Sequence, residues 1–148
     1  MAETKYGKYI VTDPKVLDMT RSGELPHHVK REKKNSDSNI YLSKDLLPGC
    51  PVFCGIVRVF DVPQPQPFLV SHKHDVDEVI LFIAMSPDGE LGTEIEIEIG
   101  DEKEKHTFHR TTAVYVPKGL RHCPIYYKNW EENKQHYMIA FLLQPEYF

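Results

Sequence analysis

The chain has 148 residues, enough for one domain and short of a comfortable two. Hydrophobic residues make up 41% of it and charged residues 27%, and no apolar run approaches the roughly 20 residues that a membrane-spanning helix needs. The 18 Lys and Arg against 22 Asp and Glu leave a net charge of −4, which argues against nucleic acid as the partner. Three cysteines do not form a disulfide framework and the first residues lack the apolar stretch of a secretory signal, so we expect a reducing, cytoplasmic setting.

The first 39 residues are predicted to form an arm that precedes the main domain. Asp13 followed by Pro14 is typical of a helix start, and Gly23 could close a helix of about two turns. Residues 26–38 are polar and lack any periodicity, which indicates an exposed loop or a partly ordered arm. We therefore predict an N-terminal arm with a short helix and a polar loop, followed by one domain over residues 40–148.

From residue 40 onward the sequence is typical of short β-strands separated by turns. Glutamates and isoleucines alternate strictly over residues 94–99, as in a strand with one solvated and one buried face. Further strands are predicted at residues 53–62, 68–74, 79–84, 107–116, 122–127 and 136–143. This pattern predicts an all-β chain, either an antiparallel sandwich or a small barrel.

One short segment combines two histidines with a glutamate. His72 and His74 are two residues apart, so in a strand both point to the same face, and Glu78 shares their parity. Two imidazoles and a carboxylate that converge in this way are typical ligands of a first-row divalent metal. The other interpretation is a strand that happens to alternate two polar positions.

A second element about forty residues later favours the metal site. Pro117 and Gly119 predict a tight turn, after which His122 opens the next strand. A strand placed beside the first segment would direct His122 toward the same point. We therefore predict that His72, His74, Glu78 and His122 bind one metal ion.

These residues resemble the two signature motifs of the cupins. The first motif is Gly-x5-His-x-His-x3–4-Glu-x6-Gly and the second is Gly-x5-Pro-x-Gly-x2-His-x3-Asn. The resemblance covers about residues 40–145 and implies a double-stranded β-helix, an antiparallel jelly-roll barrel, that holds the metal within it. The glycines and the asparagine of the motifs are replaced by Gln66, Met85, Thr111 and Tyr126. None of these replacements affects a metal ligand. The altered motifs do not indicate a particular subfamily.

The choice of metal and the neighbouring side chains decide what chemistry such a site performs. Iron is our first choice, and manganese, nickel, zinc and copper are compatible with the ligands. Tyr126 shares the parity of His122 and is predicted to line the cavity as an acid, base or hydrogen-bond donor, or else to pack at the rim. Arg58 interrupts an apolar strand, so it should meet either a carboxylate side chain or an anionic substrate.

The resemblance implies a metal-dependent enzyme that acts on a small polar or anionic metabolite. The substrate would chelate the metal, and the reaction would be that of a dioxygenase, or of a decarboxylase, lyase or isomerase. The alternative is a non-catalytic module that binds or senses a small molecule and carries a structural metal. We also predict a homodimer, with the N-terminal arm adding a strand to a neighbouring protomer.

Overall fold

Strands provide nearly all the regular structure in the computed structural model, which describes residues 4–21 and 25–147. A short 3-10 turn, Gly7–Tyr9, precedes the strands β1 (Lys15–Leu17), β2 (Ser36–Leu42), β3 (Phe53–Val59), β4 (Glu78–Ala84), β5 (Glu90–Ile99), β6 (Glu104–Arg110), β7 (Thr112–Val116), β8 (His122–Lys128) and β9 (His136–Leu142). They form a six-stranded sheet in the order β1-β2-β3-β9-β4-β7 and a three-stranded sheet in the order β6-β5-β8. Every pairing is antiparallel, which confirms the all-β prediction.

The core lies between the inward faces of the two sheets. Phe82 of the six-stranded sheet and Ile95 and Ile125 of the three-stranded sheet belong to one cluster and have no exposed surface. The alternation predicted over residues 94–99 is present, since Ile95 and Ile97 are buried while the intervening glutamates stay partly exposed. The sheet therefore has one apolar and one solvated face, as the period of two requires.

The helix predicted after Asp13 is wrong. Lys15–Leu17 is instead the edge strand β1, which pairs with β2 and buries Leu17. A local capping signal is weak compared with sheet pairing and the burial of an apolar side chain, so tertiary packing overrides it. Gly23, the expected end of the helix, lies outside the described residues. The described part of the chain has no helix long and apolar enough to cross a membrane.

The exposed loop predicted over residues 26–38 is correct only in part, because the segment contains buried side chains and its end belongs to β2. Arg31 is 2% exposed and Asn35 has no exposed surface, while β2 already begins at Ser36. The Arg31 guanidinium donates hydrogen bonds to the carbonyl oxygens of Val29, Pro65 and Phe68 at 2.7, 3.1 and 3.0 Å. Such backbone partners allow a charged side chain to be buried. The sheet therefore begins before residue 40.

Two other predicted strands differ from the structure. Residues 68–74 are extended but form only isolated bridges, which join Leu69 to His28 and to Ile125 and join His72 to His122. The strand predicted over residues 107–116 is divided into β6 and β7, which belong to different sheets. The first segment therefore contacts the three-stranded sheet without extending it, and this contact places its histidines inside the barrel.

Candidate metal centre

Four buried side chains meet at one point inside the barrel. His72 and His74 come from the extended segment, Glu78 begins β4 and His122 begins β8. Their exposures lie between 0% and 5%, and their ligand atoms are all within 4.8 Å of one another. Oε1 of Glu78 is 2.9 Å from Nε2 of His122 and 3.7 Å from Nε2 of His74. The structure thus brings together the four residues that the two motifs single out.

The backbone around the cluster fixes the positions of both motifs. His72 and His122 exchange two backbone hydrogen bonds, of 3.0 and 2.9 Å, which hold the two segments side by side. In the turn before His122, the N–H of Gly119 donates to the carbonyl of His74 at 2.8 Å. Gly119 has φ 81°, a left-handed conformation that glycine adopts without strain. The Pro-x-Gly turn therefore docks on the first motif and directs His122 toward Glu78.

The orientation of two imidazole rings is set by backbone carbonyls. Nδ1 of His72 donates to the carbonyl of Val70 at 2.7 Å, and Nδ1 of His122 donates to that of Leu120 at 3.0 Å. A neutral imidazole with hydrogen on Nδ1 presents the lone pair of Nε2, the atom that faces the cluster. Burial lowers the pKa of His72 to about 3, so its ring is neutral at pH 7.

These rings and the carboxylate fit a divalent cation. Nε2 of His72, Nε2 of His122 and Oε1 of Glu78 are buried and form no hydrogen bond with any described residue. Buried polar atoms without a partner are unfavourable, and a cation placed between these three atoms would bind all of them. A metal ion is such a cation, and nitrogen and oxygen donors suit first-row divalent metals.

Tyr126 does not face the cluster, because a β-bulge reverses the alternation in β8. The β5–β8 register runs from Ile97 opposite Ile125 to Ile99 opposite His122, so β8 has one extra residue. Tyr126 consequently pairs with Glu96 on the partly exposed face, and its neighbour Tyr127 is buried. Tyr126 and His122 therefore do not share a face, and the parity on which the prediction for Tyr126 rests is interrupted. A catalytic role for Tyr126 stays a prediction.

Cys123, at the bulge in β8, lies in the wall of a cavity. This thiol is 2% exposed and lines the same cavity as His72 and Glu78. Burial, with a smaller contribution from the Glu78 carboxylate, raises the pKa of Cys123 well above its usual value. The residue therefore contributes a neutral thiol to the cavity wall.

Arg58 lies on the outer side of the six-stranded sheet and not at the cluster. Its guanidinium binds the carboxylate of Asp37, at 3.1 Å from Nε to Oδ2, and the side-chain oxygen of Gln135 at 2.8 Å. Of the two partners expected for Arg58, the structure shows the carboxylate side chain. A catalytic role for Arg58 stays a prediction.

Two aromatic residues that the sequence did not single out for function cover the cluster. The ring of His27 stacks on that of His72, with centroids 4.1 Å apart and planes 2° apart. The ring of Tyr147 lies 5.3 Å from His74 and 5.4 Å from Phe53, and Tyr147 is 9% exposed. Neither residue belongs to a motif or a regular strand, so no spacing in the sequence pointed to it.

Acidification is expected to destabilise the metal-free protein. Burial lowers the pKa of His28 to about 3 and that of His136 to about 4. Between pH 6.5 and about 4 the unfolded chain binds protons at these histidines and the folded chain does not, so stability falls as pH falls. The expected loss is about 1 kcal/mol per pH unit for each histidine.

Urea unfolding at pH 7 and pH 5 checks this expectation. His136→Gln should reduce the pH dependence of the free energy of unfolding by the contribution of one histidine, while Thr107→Gln, at an exposed and non-titrating position in β6, should leave it unchanged. Equal stability of the parent protein at the two pH values would contradict the expectation.

The two antiparallel sheets and the buried His3Glu cluster together define a protein of the cupin fold with a metal-site-like centre. Solved structures agree with this class. Hydroxypropylphosphonic acid epoxidase from S. wedmorenis matches with a TM-score of 0.50 and 11% identity, over 90% of this chain and 56% of that one. The polyketide cyclase RemF from Streptomyces resistomycificus matches with a TM-score of 0.50 and 11% identity, over 96% of this chain and 79% of that one.

These likenesses establish the fold alone. The chain spans 56% of the length of the epoxidase structure. Its sequence matches no protein-family model, and the comparison with curated proteins finds no match. The reaction therefore has to be argued from the site of this chain.

Proposed function

We propose that the protein is a metal-dependent cupin enzyme whose substrate is a small metabolite that chelates the metal through anionic oxygen atoms. The proposed reaction is that of a dioxygenase, or of a decarboxylase, lyase or isomerase. The observation that carries the proposal is the buried set of His72, His74, Glu78 and His122, with two rings oriented by backbone carbonyls. Buried donors with fixed orientations suit metal binding. Without a metal, the burial of these polar groups would cost free energy of folding.

The residues of the chain have defined tasks in this proposal. His72, His74 and His122 hold the metal as neutral donors, and Glu78 offsets part of its charge. The metal, when bound, supplies Lewis acidity toward a chelated substrate or a site for oxygen chemistry. Tyr147 and His27 cover the cluster and separate it from bulk solvent. Separation from bulk solvent strengthens electrostatic interactions with the chelating head of the substrate.

Iron is the metal that we propose first, with manganese, nickel, zinc and copper as alternatives that the same donors accept. The compartment we propose is the cytoplasm. The three thiols, Cys50, Cys54 and Cys123, are all free, which suits a reducing environment. Ferrous iron is the oxidation state that such an environment maintains.

The experiment that tests this function uses protein purified without an affinity tag and loaded with Fe2+ under anaerobic conditions. Oxygen uptake and product formation are measured with a panel of chelating carboxylates, diketones and catechols. The proposal predicts turnover that requires the metal and disappears in His72→Ala. If the metal is bound at full stoichiometry and no compound is converted, the protein is instead a binding or sensing module with a structural metal.

We also propose a homodimer, formed through the outer face of the six-stranded sheet. The outward side chains of β4 and β9 make three successive apolar pairs, Val79–Phe141, Leu81–Ile139 and Ile83–Tyr137. A contiguous apolar face on a sheet marks an interaction surface. Two copies related by a two-fold axis would cover this face with itself, and its centre carries no charge to repel the second copy. Because β1 pairs with β2 of its own chain, strand exchange through the arm is not needed.

Leu81→Glu is expected to convert the dimer into a monomer of 17.2 kDa in analytical ultracentrifugation at micromolar concentration. The reason is that a carboxylate at the centre of an apolar interface is desolvated without a partner. Thr107→Glu adds the same charge to an exposed position of β6 and should leave the dimer intact. A parent protein that sediments as a monomer would contradict the proposal.

A further inference from the structure

A cavity extends from the metal cluster into an apolar part of the barrel. His72 and Glu78 lie at its polar end. Its walls consist mainly of aliphatic and aromatic side chains, including Leu17, Ile40, Phe53, Leu69, Ile80 and Met138. No lysine or arginine lines the cavity within the described ranges, 4–21 and 25–147. A negatively charged group on the body of a ligand would therefore find no lysine or arginine to pair with in this space, whose other polar side chains include those of His28, Ser38 and Asn39.

Two basic residues of the Pro-x-Gly turn, near the mouth of the barrel, pair with surface carboxylates. Nζ of Lys118 lies 3.7 Å from the carboxylate of Asp75, and Nε of Arg121 lies 3.3 Å from that of Asp101. Arg58 is bound to Asp37 on the outer face of the sheet. The positive charge that would attract an anionic body is thus located outside the cavity.

The cavity is small in this structure because Tyr147 occupies part of the barrel interior. Its volume is about 30 Å³, room for about two water molecules. The ring of Tyr147 belongs to the apolar cluster of Leu17, Ile40 and Phe53, and it also contacts His72 and His74, 6.4 and 5.3 Å between centroids. Tyr147 therefore stands between the metal ligands and the apolar wall, where the body of a chelating ligand would lie.

We propose that the ligand of this site has an apolar, uncharged body behind its chelating oxygen atoms, and that the Tyr147 ring sets the size of the body that is accepted. This inference rests on the proposed function, because the chelating head requires the metal. The apolar wall stabilises the body by removing it from water. Tyr147 acts as a specificity-determining residue, since a larger body overlaps the space that its ring fills.

Isothermal titration calorimetry with the Zn2+-loaded full-length protein tests the inference, because Zn2+ is redox-inert and leaves the probes unchanged. The matched probes are 4-methylcatechol and 3,4-dihydroxybenzoate, which share the two chelating oxygens and differ in one ring substituent. Because the free space beside Tyr147 is smaller than a catechol ring, either probe must displace the Tyr147 side chain in part, and we expect 4-methylcatechol to bind at least tenfold more tightly than 3,4-dihydroxybenzoate. Equal or tighter binding of the benzoate, or no binding of either probe to the zinc-loaded protein, would overturn the inference and leave the metal site standing.

Variants separate the role of Tyr147 from the metal site itself. Tyr147→Ala should bind 4-tert-butylcatechol at least tenfold more tightly than the parent protein does, while Tyr115→Ala, on the outer face, should not change its affinity. An unchanged affinity in Tyr147→Ala would overturn the size-determining role. If metal analysis shows that the parent protein binds no zinc, the proposed function fails and this inference fails with it. The comparison of the two matched probes needs no variant and decides the ligand class even if Tyr147→Ala does not fold.

Discussion

His122→Ala is expected to lower the affinity for a divalent metal by at least about 100-fold, since the loss of even a group that only orients a ligand costs about 10–100-fold. His122 has no exposed surface, its Nε2 lies 2.9 Å from Glu78, and its Nδ1 is held by the carbonyl of Leu120. Alanine removes this nitrogen donor from the cluster and leaves three of its four ligands. Metal content after equilibrium dialysis, measured by mass spectrometry, gives the result.

The stabilisation by metal should disappear in the same variant. A ligand at 100 times its dissociation constant stabilises the folded state by about 2.7 kcal/mol, so the parent protein should unfold at a higher temperature with metal than without it. His109→Ala is the matched control, since this exposed histidine binds Glu90 on the surface, away from the cluster. His109→Ala should still bind the metal and should still unfold at a higher temperature when the metal is present. If His122→Ala retained the metal at full stoichiometry, the four-ligand site would be wrong.

Arg31→Ala is expected to lower the free energy of unfolding by about 3–5 kcal/mol, because charge-assisted hydrogen bonds to buried carbonyls are each worth more than neutral ones. The guanidinium binds Val29, Pro65 and Phe68 and lies over the ring of Phe68, 4.9 Å from its centroid. Without it, buried carbonyl oxygens of the connector between β3 and the metal segment lose their donors. Urea unfolding followed by circular dichroism measures the change.

Lys33→Ala provides the comparison for Arg31→Ala. Lys33 belongs to the same basic segment, but its side chain is 65% exposed and pairs with Asp61 at the surface. An exposed ion pair contributes little, so the change in stability should stay within about 0.5 kcal/mol. Similar losses in the two variants would show that Arg31 does not anchor the connector.

The ligand set could be predicted from the sequence because it depends on local geometry. His72 and His74 share a face in any extended segment, and a Pro-x-Gly turn directs the residue three positions after its glycine. The isoleucines of β5 were predictable for the same reason, since their alternation needs no knowledge of distant residues. Strand parity within one regular segment is therefore the reliable part of the prediction.

Features that depend on distant contacts could not be predicted in this way. Tyr126 was assigned to the wrong face because the extra residue in β8 is visible only in its pairing with β5. The burial of Arg31 could not be predicted, because two of its carbonyl partners, Pro65 and Phe68, lie more than thirty residues away along the chain. Tyr147 reaches the cluster from a segment without motif or periodicity. In each case the sequence identifies the residue but not the distant residues that its side chain contacts.

Metal analysis of the protein purified without an affinity tag tests the central claim most directly. We expect about one divalent metal ion per chain, as for a single site with one set of donors. We expect no bound metal ion in His72→Ala or His122→Ala. A parent protein that stays free of metal after incubation with Fe2+, Mn2+ and Zn2+, while remaining folded, would contradict it.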